Sequence, residues 1–205
     1  MRALSIFILF TRSCREWAAM CKADKSGFSA HKFGLQHTDS ARDPANRQLS
    51  THELRGARQQ FENCREAIGW DHDIMVHCHW EYDLRTSIQL AEAVEGMKPL
   101  WLEDPLPVAY SDSWKRLCEV ARVPIQTGEN WFRRHDALPF VVNNACDILH
   151  PDLRNTCGFL ETKKMADLAD LYALPIANHN TGSVVNTMAT RHHSMGIGDS
   201  RLYTL

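Results

Sequence analysis

The sequence lacks any run close to the roughly 18 consecutive apolar residues of a membrane-crossing helix, so no membrane partner is expected. It has no surplus of either charge. Lys and Arg number 23 against 25 Asp and Glu, a formal net charge of -2, which argues against a nucleic-acid or polyanion partner. No CxxC pair occurs among the seven cysteines Cys14, Cys21, Cys64, Cys78, Cys118, Cys146 and Cys157. Their scatter points to free thiols in a reducing, cytoplasmic compartment rather than to a disulfide framework. No low-complexity segment or linker divides the 205 residues, so a single domain over 1–205 is expected. The opening Met1–Phe10 has one basic residue and a short apolar run. Arg12 and Arg15 follow without a clear small-residue cleavage site. This reads as a buried first strand rather than a signal peptide.

What is present is an alternation. Strand-like runs lie at 2–10 and 29–34, with a helical stretch over 13–25 ended by Ser26 and Gly27. Residues 36–50, with Asp43-Pro44, read as a loop. Ser50-Thr51-His52-Glu53 fits a capping box and opens a helix to about Ile68. The rhythm then becomes regular: strands at 73–78, 99–103, 123–127, 146–150 and 174–178, with helices near 84–96, 112–121, 134–143, 158–171 and 182–191. Leu84, Ile88, Ala91 and Val94 share one helical face. Strands alternating with helices of this length imply βα units around a parallel sheet. The fold class is therefore α/β, a parallel (β/α) TIM-type barrel. Seven strands are legible, Ser194–Leu205 gives no clear eighth, and the chain is shorter than the about 250 residues of a complete barrel. The barrel is expected to be incomplete, with about seven βα units. An open parallel edge favours pairing between copies, so a homo-oligomer is expected.

Polar residues recur at the strand ends. His77 ends one strand, Glu103 the next, Glu129 the one after, and Asp152 and His179 follow at spacings of 26, 26, 23 and 27 residues. One βα unit per step places all five at the same end of successive strands, the rim where barrel active sites form. Two converging glutamates in a low-dielectric rim repel each other, and a divalent ion with a taste for oxygen ligands removes that cost. Asp152 beside His179 suits a general acid/base, since a carboxylate fixes the imidazole tautomer. Taken singly, a Glu before Asp-Pro is more often a solvated turn residue, a His at a strand end more often structural, and Asp152 as readily a helix cap. The joint register carries the reading. If the strand that holds His77 continues, alternation puts His79 on the same face. A His-x-His pair on a barrel strand also suits zinc, which keeps a zinc-type barrel hydrolase using His77 and His79 as an alternative.

The motifs Asp73-Ile-Met-Val-His-Cys-His79-Trp80, Trp101-Leu-Glu-Asp-Pro-Leu-Pro107, Thr127-Gly-Glu-Asn130, Asp147-Ile-Leu-His-Pro-Asp152 and Ala177-Asn-His-Asn180 resemble the barrel strands of the enolase superfamily. The resemblance is to its mandelate racemase/muconate lactonizing branch, nearest to the mannonate and galactonate (sugar-acid) dehydratases. It implies a Mg2+-dependent hydro-lyase acting on a small sugar acid. The proton alpha to the carboxylate is abstracted, the enediolate is stabilised, and the beta hydroxyl is expelled. It implies Glu103 and Glu129 as metal ligands, His79 as an acid/base histidine and Asp152–His179 as a dyad. Lys32, Trp80 and Asn130 are its candidate substrate-binding residues.

The sequence departs from that pattern in several places. His77 stands where the family has an aspartate ligand, which weakens Mg2+ binding or shifts preference toward another divalent metal. Gly34 stands near a position where relatives often carry a second polar residue. Thr156-Cys157-Gly158 replaces the usual Gly-Gly. The N-terminal capping domain has no counterpart in the chain. A non-catalytic fragment of a dehydratase is the third reading.

Overall fold

The computed structural model describes residues 2–5, 13–35, 45–197 and 200–204, the first and last of these segments by backbone alone. Strands and helices alternate: β1 Arg2–Ser5, α1 Cys14–Ala23, β2 Ala30–Gly34, α2 Thr51–Ile68, β3 Asp73–His77, α3 Leu84–Glu95, β4 Leu102–Glu103, α4 Asp112–Val120, β5 Ile125–Thr127, α5 Arg134–Val142, β6 Ile148–Leu149, α6 Phe159–Leu171, β7 Ile176–Asn178, α7 Val184–Met195 and β8 Ser200–Thr204. Each strand pairs in parallel with its neighbour, and β8 closes the sheet onto β1. The parallel barrel is as expected, with seven βα units followed by a closing strand.

That closing strand corrects the expectation of a missing one. Ser200-Arg201-Leu202-Tyr203-Thr204 is short and mixed in polarity, unlike the continuous apolar run by which a strand buried on both faces is usually known. Its pairing is dictated from both sides, by Ile176↔Ser200 and Arg2↔Tyr203. The open edge that suggested self-association is thereby paired. Two sequence expectations, residues 6–10 of the first strand and the Asp43-Pro44 turn, lie outside the described residues.

Local rules set the helix starts. Ser13 and Ser50 both build capping boxes, Ser50 Oγ accepting from the Glu53 amide at 3.2 Å while the Glu53 carboxylate accepts from the Ser50 amide at 2.7 Å. Ser183 caps α7 in the simpler way. These contacts satisfy amides that the first helical turn leaves unpaired.

Alternation along the strands divides two cores. Phe33, Ile74, Val76, Leu102, Ile125, Leu149 and Ile176 face the helices and join one continuous apolar layer. Ala30, Met75, Trp101 and Ala177 form a smaller cluster that plugs the barrel interior. Nearer the carboxyl ends of the strands the interior turns polar, with buried Lys32, His77, Glu103, Gln126, His150 and His179. The fold thus places ionisable groups in a low-dielectric shaft directly above an apolar plug.

One pair of thiols departs from the expectation of free cysteines. Cys14, at the start of α1, is bonded to Cys64 in α2, and Cys21, Cys78, Cys118, Cys146 and Cys157 are free. The two half-cystines are 50 residues apart and meet only because α1 packs on α2, which no spacing rule reveals. Alkylation of unfolded, unreduced protein followed by mass spectrometry is expected to count five reactive thiols. A count of seven would remove the bond. Among the described residues no helix is long and apolar enough to cross a membrane.

Candidate active site and metal centre

The register of the strands builds the site. His77 lies directly opposite Glu103, and Glu103 opposite Gln126. Glu129 follows the end of β5, and Asp152 and His179 face each other across an isolated bridge beyond β6 and β7. All five residues of the evenly spaced set therefore sit at the carboxyl ends of the strands.

Glu103 is the centre. Its Oε1 lies 2.5 Å from Lys32 Nζ, 2.7 Å from His77 Nδ1 and 3.4 Å from His150 Nε2, and its Oε2 accepts from the Trp101 indole at 2.9 Å. Burial alone would raise the Glu103 pKa, but Lys32, His77 and His150 outweigh it and hold the carboxyl well below its usual range. The neighbouring acids respond to that fixed anion. Burial and then Glu103 push Asp104 up to about 7, against a 2.5 Å hydrogen bond from Thr127. Burial, then Asp104 and Glu103, push Glu129 up to about 9. Burial holds His77 below its ordinary value despite Glu103.

Three carboxyls in one dry shaft with only one readily ionised is the situation a divalent cation relieves. His77, Glu103, Asp104 and Glu129 each offer a ligand atom, all within 4.8 Å of one another. Asp104 Oδ2 and both amide atoms of Gln126 are buried without a hydrogen-bond partner. Three carboxylates, one imidazole and unsatisfied oxygens match what a hard or borderline divalent ion takes up. The residues present fit such an ion. Among the described residues His79 belongs to neither group of candidate metal ligands, so the zinc pairing of His77 with His79 gains no support.

The second device is the dyad. His179 Nδ1 donates to Asp152 Oδ2 at 2.7 Å, and Asp152 Oδ1 accepts from the Arg154 amide at 2.7 Å. Asp152 therefore shapes the loop and orients the ring together. Burial would raise its pKa, but the His179 hydrogen bond and the charges of His179 and Arg154 win, and it lies below the usual range. Burial pushes His179 down to about 4 despite Asp152. The ring is neutral at pH 7, and its Nε2 points to Glu129 Oε2 at 3.2 Å.

His79 reaches the site by a different route from strand alternation. β3 stops at His77, and His79 and Trp80 turn at φ 58° and 60°. L residues adopt this left-handed region at a cost, and such strain gathers at functional sites. Trp80 N–H donates to Asp104 C=O at 2.6 Å, which hooks the turn to β4. The His77 and His79 rings end with centroids 3.7 Å apart, edge to face. Burial, then His77, push the His79 pKa down to about 4. His79 Cε1 also lies 3.9 Å from where a Cβ on Gly34 would stand, so His79 abuts Gly34.

Of the remaining candidates, Lys32 is buried on Glu103 inside the shaft, Trp80 is half-buried with its ring 6.1 Å from that of His79, and Asn130 is exposed beyond Glu129. Cys157 and Gly158 turn at φ 67° and 95°, the conformations a Gly-Gly pair adopts freely and Cys157 does not. Asp104, Gln126 and His150 were not singled out from the sequence. Parity gives two of them: Gln126 pairs with Glu103, and His150 stands two residues beyond inward-facing Ile148. Asp104 breaks parity, because its φ of 48° folds it back toward the site.

Comparison with known proteins follows the same lines. A family model described as Enolase C-terminal domain-like matches residues 14–205. The D-xylonate dehydratase of Haloferax volcanii is 35% identical over 178 residues, covering 86% of this chain and 43% of that protein. The D-gluconate dehydratase of Thermoproteus tenax is 25% identical over 173 residues, 82% of this chain and 33% of that protein. A mandelate racemase/muconate lactonizing enzyme-like protein from Rubrobacter xylanophilus superposes with a TM-score of 0.90 at 27% identity, over all of this chain and 56% of that one. The chain thus spans less than half the length of these two curated relatives.

Proposed function

Because the chain belongs to the enolase C-terminal domain-like family, we propose that its rim carries the proton-transfer chemistry of a sugar-acid dehydratase. His77, Glu103 and Glu129, with Asp104 alongside, would hold the Mg2+ or other divalent ion. That ion, when bound, supplies positive charge to the carboxylate end of a substrate. His179, held neutral by burial and in one tautomer by Asp152, accepts at Nε2 the proton alpha to the carboxylate. His79 would act as general acid in its imidazolium form, a minor species at pH 7 given its lowered pKa of about 4. It returns to neutral imidazole as its proton joins the beta hydroxyl, the C–O bond breaks and water leaves. The enol then tautomerises to the 2-keto acid, so atoms and charge balance. Trp80 walls the site beside His79, and Lys32 keeps Glu103 ionised from within. The observation that carries this reading is the 2.7 Å Asp152–His179 bond, set with its free nitrogen against the Glu103–Asp104–Glu129 cluster.

The test is a panel of sugar acids, xylonate, gluconate and galactonate among them, incubated with the intact chain and Mg2+. Exchange of the alpha proton in D2O, read by NMR, and 2-keto-3-deoxy acid formation are expected. Neither exchange nor product from any acid, with Mg2+ shown to be bound, would leave the non-catalytic reading standing. His77→Asp is expected to tighten Mg2+ binding by on the order of tenfold, because a fourth carboxylate replaces a neutral imidazole among hard oxygen ligands. Isothermal titration reads this directly, and an unchanged affinity would remove position 77 from the ligand set.

A further inference from the structure

His150 stands beside Glu103 but takes or gives no proton in the chemistry above, and its side chain is fully buried in the shaft. Its Nδ1 hydrogen-bonds the backbone carbonyl of Ala177. That bond places the proton on Nδ1 and leaves Nε2 as the free nitrogen, which makes no hydrogen bond and has Glu103 Oε1 at 3.4 Å as a near neighbour. His179 is arranged the same way, with Nδ1–H on Asp152 and Nε2 turned inward. Two imidazoles, each with its outer nitrogen tied to an oxygen, are the arrangement by which proteins prepare histidines as metal ligands. Glu129 completes the set: its carboxylate and the nitrogens of His150 and His179 lie within 4.8 Å of one another.

We propose that Glu129, His150 and His179 form a second cation site, selective for a nitrogen-seeking divalent metal such as Zn2+ or Co2+, which shares Glu129 with the oxygen-rich site beside it. Tetrahedral bonds of about 2.1 Å place ligand atoms about 3.4 Å apart. The Glu129–His179 pair already stands at 3.2 Å, and a ligand nitrogen of His150 lies within 4.8 Å of both. Two imidazoles and one carboxylate favour Zn2+ or Co2+ over Mg2+, so the two sites sort their metals. A metal on His179 Nε2 occupies the lone pair that proton abstraction requires. Occupancy and proton abstraction are therefore mutually exclusive at this nitrogen. The inference rests on the geometry around His150 and stands whether or not the chain dehydrates a sugar acid.

The experiment titrates Co2+ into intact protein saturated with Mg2+, following visible absorption and counting bound metal by equilibrium dialysis. One Co2+ per chain is expected without loss of Mg2+, with an intense band of low-coordinate, nitrogen-ligated cobalt. X-ray absorption on that sample should count two imidazoles. His150→Gln should weaken Co2+ binding by at least about tenfold and leave Mg2+ bound. Co2+ that enters only as Mg2+ leaves, or a count of one imidazole or none in the wild-type protein, would overturn the site, as would a folded His150→Gln variant with unchanged Co2+ binding. The wild-type count decides the question even if the variant does not fold.

Discussion

Glu103→Ala is expected to lower the unfolding free energy by about 3–5 kcal/mol, the cost of breaking a buried ion pair from one side, and to abolish stoichiometric Mg2+ binding. Glu103 is fully buried and is the acceptor for Lys32 at 2.5 Å and Trp101 at 2.9 Å. Its removal strands the Lys32 ammonium in the shaft, where an unpaired charge is most expensive. For a chain of this size each kcal/mol moves the melting midpoint by about 2–4 °C, so a fall on the order of 10 °C is expected in calorimetry. Replacing both partners, as Lys32→Met with Glu103→Leu, should recover most of that stability, since a buried pair can often be exchanged for apolar groups of similar volume. It should not recover Mg2+. The two readouts therefore separate the structural and ligand roles of one carboxylate. A single variant with an unchanged midpoint and unchanged Mg2+ affinity would remove Glu103 from both.

The parts of this picture legible in the sequence are those set by short-range rules or by strict repetition. The Ser50–Glu53 capping box and the amphipathic run behind it give α2 with its end at Ile68. One βα unit per step gives the shared rim of His77, Glu103, Glu129, Asp152 and His179, because parallel strands repeat direction as well as spacing. Features set by distant partners are not legible. β8 exists because β1 and β7 leave room for it, and the Cys14–Cys64 bond because two helices pack. Asp104 and His79 reach the site through left-handed residues at φ 48° and 58°, which the period-two rule for strands cannot anticipate. His150 was hidden for another reason. It sits in the same Ile-Leu-His-Pro-Asp run as Asp152, two residues beyond inward-facing Ile148, and nothing local separates a histidine that enters the shaft there from one that packs structurally.

Without metal, the protein is expected to be most stable near pH 6–7 and to lose about 3 kcal/mol between pH 6.5 and 8.5. Two opposed sets of groups decide this. His31, His79 and His179 titrate near 4 in the folded protein against an ordinary 6.5. Between those values the unfolded chain binds more protons, so stability rises with pH. Asp104 and Glu129 behave oppositely. Their folded values of about 7 and 9 exceed the ordinary 3.8 and 4.5, so the folded protein keeps protons that the unfolded chain has released, and stability falls as pH rises through that window. Below 6.5 the histidines outweigh the two acids. Above it the histidines contribute nothing further, Asp104 is soon exhausted, and Glu129 alone continues at about 1.4 kcal/mol per pH unit. A divalent ion takes the place of those protons, so saturating Mg2+ should flatten the alkaline fall, and Mg2+ affinity should itself increase with pH toward 9. Urea unfolding across this range, with and without Mg2+, reads both effects. Glu129→Gln cannot titrate and should flatten the metal-free profile above pH 7 without any ion. A wild-type profile that is level or rising from pH 6.5 to 8.5 in the absence of metal would mean that the acids at the rim are already neutralised by something other than protons, and that they do not form the destabilised cluster on which the metal site depends.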